Sequence, residues 1–338
     1  MAVLPEFTHI HCSSRFDRSA QSLDFDLAMW RQASSLITLT EVDNDQRAAQ
    51  MRAVGWGYYN VVGGSYGDDC GMCWDTDVWK RLSGTTLKMS GNYERAISHN
   101  HVAIYSITCV LQSVRSGHKL LVSCSHFPAH VEGQGGFRTD LAQWQSRKLA
   151  YMAALNSWST HVKAQRALQN IDATLIVADW NLNLKAQWFR QILMGHWGNE
   201  YDIAWRNMPT AGGTVHGGTT SSPGQTHVDH IIDGSLFNGL DITGGPTLMG
   251  RVSSSDHRPY TEKFQFASAA GHPAKAKATD KKKKGPGEVG QSASVYVNGY
   301  GNVFHGDAWW GFGDTMVDEM YFSKGDEVAT GEAGGEVL

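Results

Sequence analysis

The chain lacks the marks of exported, membrane-spanning or polyanion-coating proteins. It has 5 cysteines in 338 residues, at Cys12, Cys70, Cys73, Cys109 and Cys124. So small and odd a number builds no disulfide framework, which points to a reducing compartment. No signal-peptide pattern and no apolar run of membrane-spanning length is present, so a soluble, cytoplasmic protein with no membrane partner is expected. Positive charge is not in excess either. The formal net charge is −4, so no global field draws in nucleic acid, and any polyanion must be met by a local patch or a bound metal. Internal repeats are absent.

Cys12, Cys109 and Cys124 sit in strand-like runs and read as small buried hydrophobes. Cys70-Gly-Met-Cys73 has zinc or redox spacing, but no second Cys/His pair completes a zinc site, so a structural role is expected there.

What is present is an alternation of short apolar runs and amphipathic stretches. Residues 7–12, 36–40, 71–79 (with a turn near Asp75), 101–114, 119–125, 173–178, 228–232, 236–242 and 260–266 read as strands. Ser116-Gly117 marks a hairpin. Residues 22–33, 43–54, 137–168 and 185–194 read as helices, with Asp43 as a plausible N-cap. Gly212 to Gly224 reads as a Gly/Ser/Thr loop. Strands mixed with helices suggest α/β layering, and the hairpin argues for a two-sheet sandwich covered by helices over a doubly wound sheet.

Three regions are expected: a catalytic domain over 1–267, a Lys/Ala/Gly/Pro linker over 268–290, and an aromatic, Gly-rich appendage over 291–338. Of the 29 Lys and Arg residues, six lie between Lys275 and Lys284. A solvated linker is the expected reading of that run. The appendage carries Tyr296-Val-Asn-Gly-Tyr300 and Trp309-Trp310-Gly-Phe312. So many aromatics need a surface to pack on, either the main domain or another protein.

Four motifs at strand ends carry the chemistry: Thr40-Glu41, Ser125-His126, Ala178-Asp179-Trp180-Asn181 and Ser255-Asp256-His257. His227-Val228-Asp229-His230 precedes the last. Carboxylates, an amide and imidazoles around one pocket suit a hard divalent cation and an activated water. Singly, each residue reads as a cap or a satisfied polar group. Together, in this order, they resemble the endonuclease/exonuclease/phosphatase superfamily of DNase I-like enzymes over roughly residues 5–267.

The resemblance implies a four-layer α/β/β/α sandwich and metal-dependent hydrolysis of phosphodiesters, most simply by a nuclease acting on DNA or RNA. A phosphomonoester or inositol-phosphate substrate is the alternative, and a virion-associated protein with a weakened site is the second. It implies Mg²⁺, with Mn²⁺ or Ca²⁺ as substitutes, held by Glu41 and Asp256. It implies catalytic roles for His126, Asp179, Asn181, Asp229 and His257, with Asp229 orienting His257. The general look of the chain also resembles family members carried by bacteriophages. Two positions depart from the family pattern: Ala178 stands where the family has the glycine that leads the Asp-x-Asn motif, a mild change, and the end of the first strand differs more. The first strand normally ends in asparagine, and here Ser13 or Ser14 falls in that place, with His9 and His11 as less regular substitutes.

Overall fold

The computed structural model describes residues 6–13, 20–42, 49–61, 70–94, 101–129, 131–133, 135–138, 142–204, 233–249, 255 and 257–267. It also describes three short strands beyond residue 294. The chain divides into two compact units, Met1–Pro273 and Ala274–Leu338.

The first unit holds two six-stranded mixed sheets. One runs β15 (Leu240–Leu248), β16 (Tyr260–Phe266), β1 (Glu6–Ser13), β2 (Leu36–Thr40), β4 (Cys70–Asp75), β3 (Trp56–Asn60). The other runs β13 (Asp202–Ile203), β14 (Asp233–Asn238), β12 (Ala173–Asp179), β9 (Lys119–His126), β8 (Tyr105–Ser113), β5 (Trp79–Lys88). Two-stranded ribbons β6 (Tyr93–Glu94) with β7 (His101–Val102), and β10 (Glu132–Gly133) with β11 (Gly136–Phe137), complete it. The second unit contains a three-stranded antiparallel sheet of β17 (Val295–Val297), β18 (Val303–His305) and β19 (Met320–Phe322), with β17 central.

Strand alternation explains the layers. Ile10 and Cys12 of β1 and Ile37 and Leu39 of β2 pack on Leu23, Leu27 and Trp30 of helix α1 (Ala20–Ala33). On the second sheet, Ser123 of β9 accepts a hydrogen bond from Trp158 of α2 (Ala142–Gln169) at 2.7 Å. Trp158 also meets Trp197 of α3 (Gln187–Trp197) edge-on. The remaining strand faces meet each other. The result is the α/β/β/α sandwich that the motif resemblance implies. Asn170, with φ 50, closes α2 in the left-handed conformation that asparagine tolerates.

The space between the sheets changes character along its length. Phe7, Trp79, Phe237, Phe264 and Phe266 fill one end with edge-on and tilted ring contacts. The other end is polar and buried: His9, His11, Thr38, Ser235, Glu262, Asp179 and Asp233. That polar end is where the strands carrying the motifs stop.

Several expected elements are corrected. The expected 236–242 strand is broken at Gly239, where the chain leaves one sheet as β14 and enters the other as β15. The expected 71–79 strand ends at Asp75, and Trp79 begins β5. Phe137, expected to open the long helix, belongs to a β-ribbon instead. Of the expected 43–54 helix, residues 43–48 lie outside the described residues, and Ala53 bridges to Trp56. The expected 228–232 strand also lies outside them. All five cysteines are buried free thiols, and burial pushes Cys73 and Cys109 up to about 12, so both are inert packing groups.

Candidate active site

Register brings the site together. Asp179, the last residue of β12, pairs with His126 at the end of β9 on one side and with Asp233 at the start of β14 on the other. Across the sandwich, Ser13 of β1 pairs with Thr40 of β2, and Glu41 follows. Glu41 has φ 56 and Asn181 has φ 49. Two of the three non-glycine residues with positive φ among those described are thus site residues, and the chain bends sharply where the Glu41 and Asp179–Asn181 motifs leave their strands.

Asp179 is anchored through one oxygen and turns the other to two imidazoles. Its Oδ1 accepts the Asn181 backbone N–H at 2.9 Å. Its Oδ2 lies 3.6 Å from His126 Nε2 and 4.0 Å from His257 Nε2. Asn181 bridges back to the neighbouring strand: its Nδ2 donates to the Phe127 carbonyl at 2.8 Å and lies 3.2 Å from His126 Nε2. Trp180 points the other way, into the helix layer. It stacks on Phe127, and its carbonyl accepts the Tyr151 hydroxyl at 2.7 Å. The Asp-Trp-Asn alternation therefore anchors the turn on one face and arms the site on the other.

His257 is oriented by Asp233. Its Nδ1 lies 2.7 Å from Asp233 Oδ2, and its backbone N–H donates to Ser255 Oγ at 2.9 Å. A carboxylate on Nδ1 holds the proton there and leaves Nε2, which faces Asp179, as the basic nitrogen. Asp229 was expected in this role from the motifs and lies outside the described residues, as do Asp256 and Ser14. Among the described residues the acid on His257 Nδ1 is Asp233, and Asp229 stays an expectation from the sequence. Glu41, His126, Asp179, Asn181 and His257 are brought together; His11 and Asp233 join them.

Charges crowd here. Burial foremost, then Asp233, raise the Asp179 carboxyl to about 7; His257 and His126 oppose this, and Glu41 adds to it. Burial also acts to raise Asp233, but His257 and His11 outweigh it and hold its carboxyl well below the usual range. One ligand atom each from Asp179, Asp233 and His257 lie within 4.8 Å of one another. Two carboxylates and an imidazole, with the Glu41 charge acting on Asp179, fit a divalent cation, which would relieve the repulsion between the carboxylates.

The polar layer also carries a stability signature. Glu262 is fully buried, and desolvation raises its carboxyl to about 8 from 4.5. Its neighbours are His9, held down to about 3 by burial, and Tyr260, raised well above its usual value. The folded protein therefore keeps a proton on Glu262 that the unfolded chain has released. The stabilisation from neutral Glu262 is complete below about pH 4.5 and gone above about pH 8. Denaturant titrations from about pH 5 to about pH 8 should show wild type losing stability relative to Glu262→Gln by up to about 1.4 kcal/mol per pH unit. Parallel pH profiles would show that Glu262 is ionised in the fold.

No family model and no curated protein sequence matches this chain. Solved structures do match. An endonuclease/exonuclease/phosphatase family protein from Bacteroides thetaiotaomicron superposes with TM-score 0.57 at 11% identity, covering 78% of this chain and 99% of that one. TDP2 of D. rerio, complexed with a single-strand DNA product, gives TM-score 0.52 at 12% identity over 77% and 99%. A mannosyl-6-phosphatase from Bacteroides thetaiotaomicron gives 0.52 at 11% identity over 77% and 99%. The chain has the fold of the endonuclease/exonuclease/phosphatase structures. Both a DNA-bound protein and a sugar phosphatase share that fold, so it leaves the substrate open.

Proposed function

We propose that this chain is a divalent-metal-dependent hydrolase of phosphodiesters, with nucleic acid as its substrate. The observation that carries the reading is the convergence of His126, Asp179 and His257 at the strand ends, with Asp233 behind His257. Glu41, with Asp256, would hold Mg²⁺ (or Mn²⁺ or Ca²⁺), which supplies Lewis-acid polarisation of the phosphoryl oxygen. Asp179 orients the attacking water and takes its proton. Its Oδ2 is the oxygen that faces both imidazoles, while Oδ1 is tied to the Asn181 N–H. His257 turns its bare Nε2 to Asp179 and shares the proton taken from the water, while Asp233 keeps the other ring proton on Nδ1. His126 stabilises the charge that builds on the phosphoryl oxygens, and the Asn181 side-chain amide, bonded to the Phe127 carbonyl and 3.2 Å from His126 Nε2, positions it.

The test is Mg²⁺-supplemented digestion of plasmid DNA, single-stranded DNA and RNA, run beside sugar and inositol phosphomonoesters. Polynucleotide cleavage is expected, abolished by EDTA and lowered at least about 10²-fold by His257→Ala. Turnover of the phosphomonoesters alone would move the substrate to the phosphatase alternative. EDTA-resistant cleavage would overturn the metal. The aromatic appendage, by this reading, is a docking element for the catalytic unit or another protein. Loss of neither assembly nor activity on deleting 291–338 would refute that.

A further inference from the structure

The catalytic histidine is not the end of the buried polar layer. A continuous line of side chains runs from Asp233 back through the middle of the sandwich. His11 Nε2 lies 3.6 Å from Asp233 Oδ1, and His11 Nδ1 lies 2.9 Å from Thr38 Oγ1. Thr38 Oγ1 lies 2.9 Å from His9 Nε2, and His9 Nδ1 lies 3.1 Å from Glu262 Oε2. Glu262 Oε2 accepts from Ser235 Oγ at 2.8 Å, and Ser235 Oγ lies 2.8 Å from Tyr260 Oη. All seven residues, Asp233 included, are buried. They come from β1, β2, β14 and β16, so none of the contacts is local.

With both buried imidazoles neutral and Glu262 protonated, as burial favours, the protons along this line order in one direction. Thr38 has one hydroxyl proton and two imidazole nitrogens beside it, so it donates to one and accepts from the other. Asp233 is an anion, so the nitrogen of His11 that faces it carries the hydrogen. Burial keeps His11 neutral, so its Nδ1 is bare and takes the Thr38 proton. Thr38 then accepts from His9 Nε2–H. His9 is neutral as well, so its Nδ1 is bare and needs a donor. Among the described residues its partner is Glu262, whose buried carboxyl is protonated and donates. Ser235 donates to that carboxyl and accepts the Tyr260 hydroxyl. Every bond from Tyr260 through Ser235, Glu262, His9 and Thr38 to His11 then points the same way, and His11 turns its N–H to Asp233 at 3.6 Å. Such head-to-tail chains polarise one another and fix every tautomer along them.

We propose that His11 is a positioning residue for the Asp233–His257 pair, and that the buried chain behind it fixes His11 as the Nε2–H tautomer so that Asp233 meets a donor on the side away from His257. His257 bonds Oδ2 at 2.7 Å, and His11 Nε2 faces Oδ1 at 3.6 Å as an electrostatic contact. That contact biases the carboxylate against rotation and keeps the proton on His257 at Nδ1. The inference rests on the functional reading above for its kinetic consequence, but its structural core does not.

The experiment has an arm for each. In ¹⁵N-histidine-labelled full-length wild type, long-range ¹H–¹⁵N spectra should show His11 as Nε2–H and His257 as Nδ1–H, the latter with a slowly exchanging proton. That proton should exchange faster in His11→Leu and be restored in His11→Gln, whose side-chain amide sits where Nε2–H did. An Nδ1–H tautomer for His11 overturns the proposal without any variant. So does an unchanged His257 proton in a folded His11→Leu. In the kinetic arm, His11→Leu should lower kcat roughly 10- to 100-fold with KM little changed, and His11→Gln should recover most of it. Equal rates for wild type and both variants overturn the proposal. If wild type cleaves none of the substrates, the functional reading fails while the spectra still decide the role of His11.

Discussion

Replacing Asp233 with asparagine should lower the rate of phosphodiester cleavage by roughly 10³- to 10⁴-fold, the scale seen when an amide replaces the carboxylate behind a catalytic histidine. The cause is the loss of a two-sided acceptor. As a carboxylate, Asp233 accepts from His257 Nδ1 at 2.7 Å and faces His11 Nε2 at 3.6 Å. An amide accepts at one end only and presents N–H groups at the other. If the amide nitrogen faces His257, the histidine must put its proton on Nε2. The lone pair that faces Asp179 is then gone. Geometry is nearly conserved in the variant, so the loss is in kcat rather than in folding. Asp229→Asn is the comparison that decides the assignment, and the smaller loss is expected there. A severe defect in Asp229→Asn beside a mild one in Asp233→Asn would return the orienting role to Asp229. Both are read as single-turnover rates on the same labelled oligonucleotide.

The strands differ in how much of each a local pattern conveys. β2 and β16 were legible to the residue, because Leu36-Ile-Thr-Leu-Thr40 and Tyr260–Phe266 carry dense apolar and β-branched signal. β12 was legible to within one residue for the same reason. β14 reads Asp-Gly-Ser-Leu-Phe-Asn, which begins with three poor strand formers. Local propensity therefore placed its start at Leu236. Pairing with β12, from Asn238 opposite Thr174 to Asp233 opposite Asp179, supplies the stabilisation that local preference lacks.

His9 and His11 were hidden for a related reason. Alternation along β1 shows that they share a face. It does not show that Glu262, 253 positions from His9, closes the far side. Glu41, His126, Asp179, Asn181 and His257 were legible because each sits in a short motif at a strand end, where the residue type itself is the signal. Side chains whose role comes from the opposite sheet have no such local mark.

Gly239→Ala should be the most destabilising single-methyl change in the described fold, at about 3 kcal/mol. Two costs add. Gly239 has φ 75, which an L-residue occupies at a cost of about 1–2 kcal/mol. A Cβ there would also stand 2.3 Å from the Asp172 carbonyl oxygen and 3.0 Å from the Ala173 Cα. Both are backbone atoms at the start of β12, so neither can rotate aside. Gly117 separates the two terms. It has φ 77, but a Cβ would meet nothing nearer than Gln112 Nε2 at 3.9 Å. Gly117→Ala should therefore show the conformational cost alone, about 1 kcal/mol in denaturant titrations. Equal losses at the two positions would remove the steric term. The difference matters for the site because the Asp172–Ala173 backbone and Gly239 clamp the end of the β12–β14 pair remote from the chemistry. Relief of the clash by sliding β14 one residue along β12 would turn Asp233 to the opposite face of the sheet, since side chains alternate with a period of two. A variant that avoids the clash by slippage would then keep more of its stability and lose its activity. Gly239→Ala should accordingly be impaired either in stability, with residual activity per folded molecule, or in activity, with the His257 Nδ1–H signal lost. A variant fully stable and fully active would show that the glycine at the sheet crossing does not set the register of Asp233.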